Sequence, residues 1–346
     1  MSVMKAMALH ECADIESNPR PLQLTDLPMP VPKSAEILIR ITACGVCHTE
    51  LDEIEGRMRP SRLPRVPGHQ IVGRVVRIGR EVEERFHEGD RVGVGWIGSA
   101  CGTCAYCAEG RENLCPDFRA TGRDVDGGYA EYMTVHGDFA YPIPDVFTDA
   151  EAAPLLCAGA IGYRSLKLTG LKDGQRLGLS GFGASAHLVL KLARHMFPGT
   201  RVFVFARNER ERAFAEDLGA VWAGDFSDPS PDGMDAVIDT TPAWRPVIES
   251  LRHLRPGGRL VVNAIRKEDA DKDALLKLDY PAHLWMEKEI KSVANVSRSD
   301  ISEFLEIAAE IPIKPEIEKY GLEDANRALV EMKKGVIHGA KVLIVG

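Results

Sequence analysis

The sequence predicts two domains, a mostly β unit followed by an α/β unit built on a parallel sheet, and three observations carry this reading. The chain has 346 residues, about twice a typical domain length. Residues 1–150 hold short β-type runs separated by Gly and Pro turns. From about residue 158 strand-like and helix-like segments alternate, the rhythm of βαβ units.

In the first stretch EILIRITA (36–43), IVGRVVRIG (71–79) and GDRVGVG (89–95) read as strands, because β-branched residues dominate between turn formers. The second stretch reads as RLGLSG strand, ASAHLVLKLARHM helix, RVFVFAR strand, NERERAFAEDLGA helix, DAVIDT strand, a helix near 244–254, GGRLVVNA strand and IKSVAN (290–295) strand. In SRSDISEFLEIAAEI, Ile301, Phe304, Leu305 and Ala308 mark one helical face; LEDANRALVEMKKG reads as a second helix closed by glycine, and KVLIVG as a final apolar strand. These last elements follow the final strand of the parallel sheet and can return to the β domain. The expected boundaries are therefore 1–157 with 296–346 for the β domain and 158–295 for the α/β domain.

Lys plus Arg is 43 and Asp plus Glu 51, a formal charge of −8 with no long run of either sign, so no nucleic-acid or anionic-membrane partner is expected. With 45% hydrophobic and 27% charged residues the composition is that of a folded globular protein. No stretch reaches about 18 uninterrupted apolar residues, and MSVMKAMALHECADIE lacks the features of a secretory signal. The expected compartment is the cytoplasm.

Of eight cysteines, Cys101, Cys104, Cys107 and Cys115 form C-x2-C-x2-C-x7-C, and Cys12, Cys44, Cys47 and Cys157 are scattered. Four closely spaced thiolates can surround one Zn²⁺ tetrahedrally and leave no place for water, which makes such a site structural. The alternatives are unpaired cysteines in a loop, which would be an oxidation liability, and an iron–sulfur cluster, although the C-x2-C-x2-C-x3-C-P run is absent. Three further segments hold possible ligands: ACGVCHTELD (43–52), PGHQIVG (67–73) and APLLCAGAIGY (153–163).

The order and flanks of these segments, with the four-cysteine cluster between His69 and Cys157, resemble the zinc-dependent medium-chain alcohol dehydrogenase family over essentially the whole chain. The resemblance implies a GroES-like catalytic domain and a Rossmann-type, doubly wound cofactor domain. It implies a catalytic zinc on Cys47, His69 and Cys157, whose open fourth position suits a substrate oxygen. Thr49 takes the place of the hydroxyl that accepts the substrate proton, His48 that of a basic residue on the cofactor pyrophosphate, and Glu50 that of an acid orienting the ligand imidazole. Two positions depart from the pattern. Asp52 stands where many members end the proton relay on histidine, so Asp52 or the cofactor ribose with water takes the outer step, and Gln70 stands where many have Glu. A neutral side chain there removes an anion that would disfavour the alkoxide. Trp96 matches an aromatic position near the substrate pocket in some members, and a core tryptophan is the competing reading.

GFGASA (181–186) follows a strand and opens a helix, as a dinucleotide loop does. Gly181 permits the tight turn, Gly183 the approach of pyrophosphate, and Ala186 the packing of helix on sheet, with amide donors at the helix start. Where NAD-specific members carry an acid at the end of the second strand this chain has Ala206, followed by Arg207, whose guanidinium suits a 2′-phosphate. NADP(H) is therefore expected over NAD(H), alongside two Zn²⁺ per chain. The implied activity is hydride transfer between a primary alcohol or aldehyde and a nicotinamide cofactor, in a homodimer or homotetramer. The alternatives are a polyol or aryl-alcohol dehydrogenase of the same superfamily, or a non-catalytic nucleotide-binding redox sensor.

Overall fold

A computed structural model of the protein describes residues 2–183, 185–311, 313–335 and 339–346. The chain forms two compact units, Met1–Cys157 with Ser297–Gly346, and Ala158–Val296. The returning segment starts at Ser297, one residue later than the boundary read from the sequence.

The first unit is built on a seven-stranded sheet. Its path runs Ile317–Gly321, Ala340–Ile344, Glu36–Gly45, Gln70–Ile78, Arg91–Val94 and Ala140–Pro142, with Tyr132–His136 pairing onto Glu36–Gly45. The central strand turns Ile37, Ile39 and Ile41 inward, each at most 1% exposed. A period of two puts these three on one face, and Leu38 between them is also buried, at 2% exposure. Val342 pairs with Gly45 antiparallel, so the C-terminal strand is what joins the returning segment to this sheet.

Helix Arg298–Glu310 buries Ile301, Phe304, Leu305 and Ala308, the face marked in the sequence. Each large apolar side chain contributes about 1.5–3 kcal/mol on burial. Ser297 and Asp300 cap its start reciprocally: Asp300 Oδ2 accepts from the Ser297 amide at 2.9 Å and the Asp300 amide donates to Ser297 Oγ at 3.4 Å. The segment read as a single helix from Leu322 divides into a 3₁₀ turn, Leu322–Asp324, and the helix Ala325–Lys333.

The second unit carries six parallel strands in the order Trp222–Gly224, Arg201–Phe205, Arg176–Ser180, Met234–Asp239, Leu254–Val262, Glu289–Ser292. Val202, Phe203, Val204 and Phe205 are at most 1% exposed, because helices cover both faces of such a sheet and its inner strands are apolar throughout. The chain order reverses between Arg176–Ser180 and Met234–Asp239, a switch point where open α/β sheets bind ligands. The edge strand Trp222–Gly224 is new relative to the sequence reading, since three residues are too short to show a period. Among the described residues no helix is long and apolar enough to cross a membrane.

Candidate active site

Cys47, His69 and Cys157 come from three elements of the first unit. Cys47 is the N-cap of the short helix His48–Ile54, His69 directly precedes the strand Gln70–Ile78, and Cys157 lies in a π-helical turn, Leu155–Gly159. Their ligand atoms lie within 4.8 Å of one another. Gly68 makes the delivery of His69 possible: its φ is +100°, and a Cβ there would stand 2.5 Å from Tyr129 Cδ1.

Glu50 ties the site together. Its Oε2 accepts from the Cys47 amide at 2.7 Å, and its Oε1 lies 2.5 Å from His69 Nδ1. Both side chains are buried. Nδ1 faces the carboxylate as a close ion pair, and neither ring nitrogen makes a well-formed hydrogen bond, so Nε2 is the nitrogen left for a metal, as in a ligand imidazole. Burial raises the Glu50 carboxyl. Burial alone would lower His69, but Glu50 and Cys47 together outweigh it and hold the imidazole well above its ordinary range. The neighbouring Cys157 thiol pulls Cys47 well below the usual thiol range and is itself pushed up. Two sulfurs and one nitrogen, with Cys47 favoured as thiolate, suit a divalent zinc with one position left open.

Around this trio, Thr49 is nearly buried and its Oγ1 lies 3.7 Å from Cys47 Sγ. His48 is exposed at the first position of the helix. Gln70 is buried at the start of its strand. Asp52 is buried, and its Oδ1 accepts from Arg57 Nε at 2.5 Å. Arg57 also pairs with Glu55, which Lys333 Nζ meets at 3.1 Å. Trp96 is buried, with its ring centroid 5.5 Å from that of Phe118 and its indole N–H donating to Glu53 Oε1 at 3.4 Å. The Arg123 guanidinium lies over the Trp96 ring at 5.1 Å. Sequence reasoning missed Arg57, Glu53 and Arg123. The Asp52–Arg57 pair spans a helix end, where no helical period applies, and the other contacts join segments far apart in the chain.

The four cysteines of the second cluster also place their sulfurs within 4.8 Å of one another. Cys101 and Cys107 sulfurs are 3.9 Å apart, and those of Cys104 and Cys107 are 3.6 Å apart. A tetrahedron with Zn–S near 2.3 Å requires about 3.8 Å between sulfurs. Amide donors of Thr103 and Cys104 push the Cys101 thiol down to about 6, whereas desolvation leads the rise of Cys107 to about 12. Glu112 anchors this lobe, its Oε1 accepting from the Arg298 amide at 2.5 Å and from Arg298 Nε at 3.0 Å.

In the second unit Gly181 ends the strand Arg176–Ser180 with φ +79°, and a Cβ there would lie 2.9 Å from both Thr240 Oγ1 and Thr241 Cγ2. A Cβ at Gly183 would meet open space, which leaves room for a phosphate against the backbone. Ala184 of this loop lies outside the described residues. Ala186 is fully buried at the start of the helix Ala186–Met196. Ala206 is fully buried just after the strand Arg201–Phe205, and Arg207 is exposed beside it. Arg212 Nη1 donates to the carbonyls of Ala206 at 2.9 Å and Arg207 at 3.0 Å, adding a second cation that the sequence reading did not include.

A β unit holding two clusters of metal-ligating side chains, next in sequence to a parallel-sheet unit with a dinucleotide-type loop, defines a metal- and nucleotide-dependent oxidoreductase architecture. Comparison with known proteins agrees. Residues 33–145 match the alcohol dehydrogenase GroES-like domain. The probable alcohol dehydrogenase AdhA of Mycobacterium tuberculosis is 40% identical, covering 99% of this chain and 98% of that protein. An alcohol dehydrogenase of Geobacillus stearothermophilus is 34% identical over 93% of this chain and 95% of its own length. Among solved structures, a cinnamyl alcohol dehydrogenase from Sorghum bicolor superposes with a TM-score of 0.83 at 27% identity, covering 99% of this chain and 98% of that one. The chain belongs to the zinc-dependent medium-chain alcohol dehydrogenase family.

Proposed function

We propose that this protein interconverts primary alcohols and aldehydes, with a catalytic zinc on Cys47, His69 and Cys157, a structural zinc on Cys101, Cys104, Cys107 and Cys115, and NADP(H) as the preferred cofactor. The observation that carries the reading is the convergence of Cys47, His69 and Cys157 on one point, with the Thr49 hydroxyl one residue past the exposed His48 on the same helix. When bound, the zinc supplies Lewis-acid polarisation of the substrate oxygen and the dinucleotide supplies a hydride acceptor or donor.

The chain's own residues do the rest. Thr49 Oγ1 accepts the proton of the substrate hydroxyl during oxidation and returns it during reduction. Glu50 fixes the His69 ring through Nδ1 and so aims Nε2. Asp52, held by Arg57, or the cofactor ribose with water continues the proton path. His48 and the amides after Gly181 bind pyrophosphate, and Arg207 with Arg212 offers the positive charge for a 2′-phosphate. Trp96, tilted against Phe118 with ring centroids 5.5 Å apart, is the aromatic side chain on the substrate side.

Assembly into a homodimer or homotetramer belongs to the same reading. The edge strand Glu289–Ser292 has all four residues exposed, and Leu276, Tyr280, Trp285 and Ile290 are exposed near it in sequence. Such an edge with apolar residues favours self-association, which sedimentation analysis measures directly. The test of function is a panel of alcohols and aldehydes with NAD(H) and NADP(H), followed at the absorbance of the reduced nicotinamide. Absence of turnover with every pair would refute the reading.

A further inference from the structure

Beneath the Gly181 turn, at the carboxyl end of the second unit's sheet, lies a buried ion pair that the proposed reaction does not use. Asp239 ends the strand Met234–Asp239 and is fully buried. Lys267 follows the strand Leu254–Val262, and its side chain is 6% exposed. The Lys267 ammonium meets Asp239 Oδ2 and donates to the Thr241 carbonyl at 2.7 Å. Asp239 Oδ1 accepts from Ser180 Oγ at 2.9 Å and from Thr241 Oγ1 at 2.8 Å. Two backbone bonds flank the pair: the Asn263 amide to the Asp239 carbonyl at 2.8 Å and the Glu268 amide to the Pro242 carbonyl at 2.7 Å. One charged pair therefore ties the ends of three neighbouring strands together.

The strand order gives this clamp a side. In a doubly wound sheet the dinucleotide crosses the switch point, with its adenosine half over the strand that follows the glycine turn and its other half over the opposite strands. Here Arg201–Phe205 and Ala206 lie on the adenosine side, whereas Asp239 and Lys267 lie on the other. Thr240 and Thr241 form the wall against which Gly181 turns, and Lys267 holds that wall by a backbone carbonyl. A surface loop needs no buried ammonium for stability, since a buried pair is often no better than an apolar one.

We propose that Lys267, with Asp239 as its counter-charge, is a positioning residue for the nicotinamide half of the dinucleotide: it fixes the 239–242 loop on which that half rests and leaves the adenosine half untouched. This rests on the dinucleotide reading of the Gly181 loop. The test is calorimetric titration of the purified protein with NADPH and, separately, with adenosine 2′,5′-bisphosphate, which carries only the adenosine half. Lys267→Met is expected to raise the Kd for NADPH about tenfold or more, the scale of a lost hydrogen bond to a charged group, with the Kd for the bisphosphate changed less than about twofold. Lys267→Arg should recover most of the NADPH affinity. If Lys267→Met folds poorly because Asp239 is left uncompensated, Asp239→Asn with Lys267→Met removes that charge, and it should still bind the bisphosphate normally and NADPH weakly. Equal weakening of both ligands, or of neither, overturns the assignment. Failure of the unmodified protein to bind NADPH and NADH refutes the dinucleotide reading and this inference with it, whereas normal binding with an indifferent Lys267→Met refutes the inference alone.

Discussion

Arg207→Ala tests the cofactor assignment at its most exposed point. Arg207 projects into solvent directly after the buried Ala206, and Arg212 is bound to the carbonyls of both residues. A hydrogen bond between charged groups contributes about 1.5–3 kcal/mol when shielded, and exposure of Arg207 places its share near the lower end. The loss expected in kcat/KM for NADPH is therefore about tenfold. Arg212 remains as a second cation, so the loss is not total. NADH has no 2′-phosphate and should change less than about threefold. The reciprocal change, Ala206→Asp, puts a carboxylate where the adenosine ribose binds and should move preference toward NADH. Both effects are read from initial rates with each cofactor at low ionic strength. The argument fails if Arg207→Ala lowers both cofactors equally, or if the unmodified enzyme has a kcat/KM at least about tenfold higher with NADH.

Metal analysis should find two zincs per chain, and a chelator should remove activity before it removes the metal held by Cys101, Cys104, Cys107 and Cys115, since only the other site keeps an exchangeable position; one zinc per active chain would contradict this. Cys47→Ser, His69→Ala and Cys157→Ser should abolish hydride transfer with dinucleotide affinity largely intact, and Thr49→Ala should slow turnover by roughly 10²-fold or more, so near-normal turnover in the last would mean that another group takes the proton. Gln70→Glu adds an anion at a buried position, disfavours the ionised substrate and should raise the apparent pKa of alcohol oxidation; an unchanged or lower value refutes the charge argument. In the first unit Lys341, 1% exposed, donates to Glu318 at 2.8 Å, Glu331 at 2.9 Å and Tyr320 OH at 2.6 Å, and Lys341→Met should cost about 1–3 kcal/mol in denaturant unfolding. Tyr320 and then Lys341 hold the Glu331 carboxyl below its ordinary value, so its contribution is present above the unfolded carboxyl pKa and is lost as pH falls through the lowered one. A stability difference between Lys341→Met and the parent that does not shrink on acidification in that range counts against this pairing.

Much of the architecture was legible because it is written in local patterns. The helix face of Ile301, Phe304, Leu305 and Ala308 follows from a 3.6-residue period, and the apolar run Val202–Phe205 follows from burial on both faces of a parallel sheet. The four-cysteine lobe was equally legible, since its ligands lie close in the chain and short spacings limit where sulfurs can go. Cys47, His69 and Cys157 were different: as single residues on separate segments they gained meaning only through resemblance, and their approach depends on the Gly68 turn, the Glu50 bridge and the end of a helical run meeting in space.

The sequence by itself determined the two-domain plan, the alternation of strands and helices in the second unit apart from the short strand Trp222–Gly224, and the residue types available for metal and dinucleotide chemistry. Only the tertiary structure decided which charges are compensated. Asp52 is held by Arg57 across a helix end, and Asp239 by Lys267 from the loop after the next strand. The physical reason is that burial and Coulombic pairing act through space. A charged side chain's partner is set by how strands and loops pack, and residues 28 positions apart, such as Asp239 and Lys267, carry no local signal of one another until the chain folds.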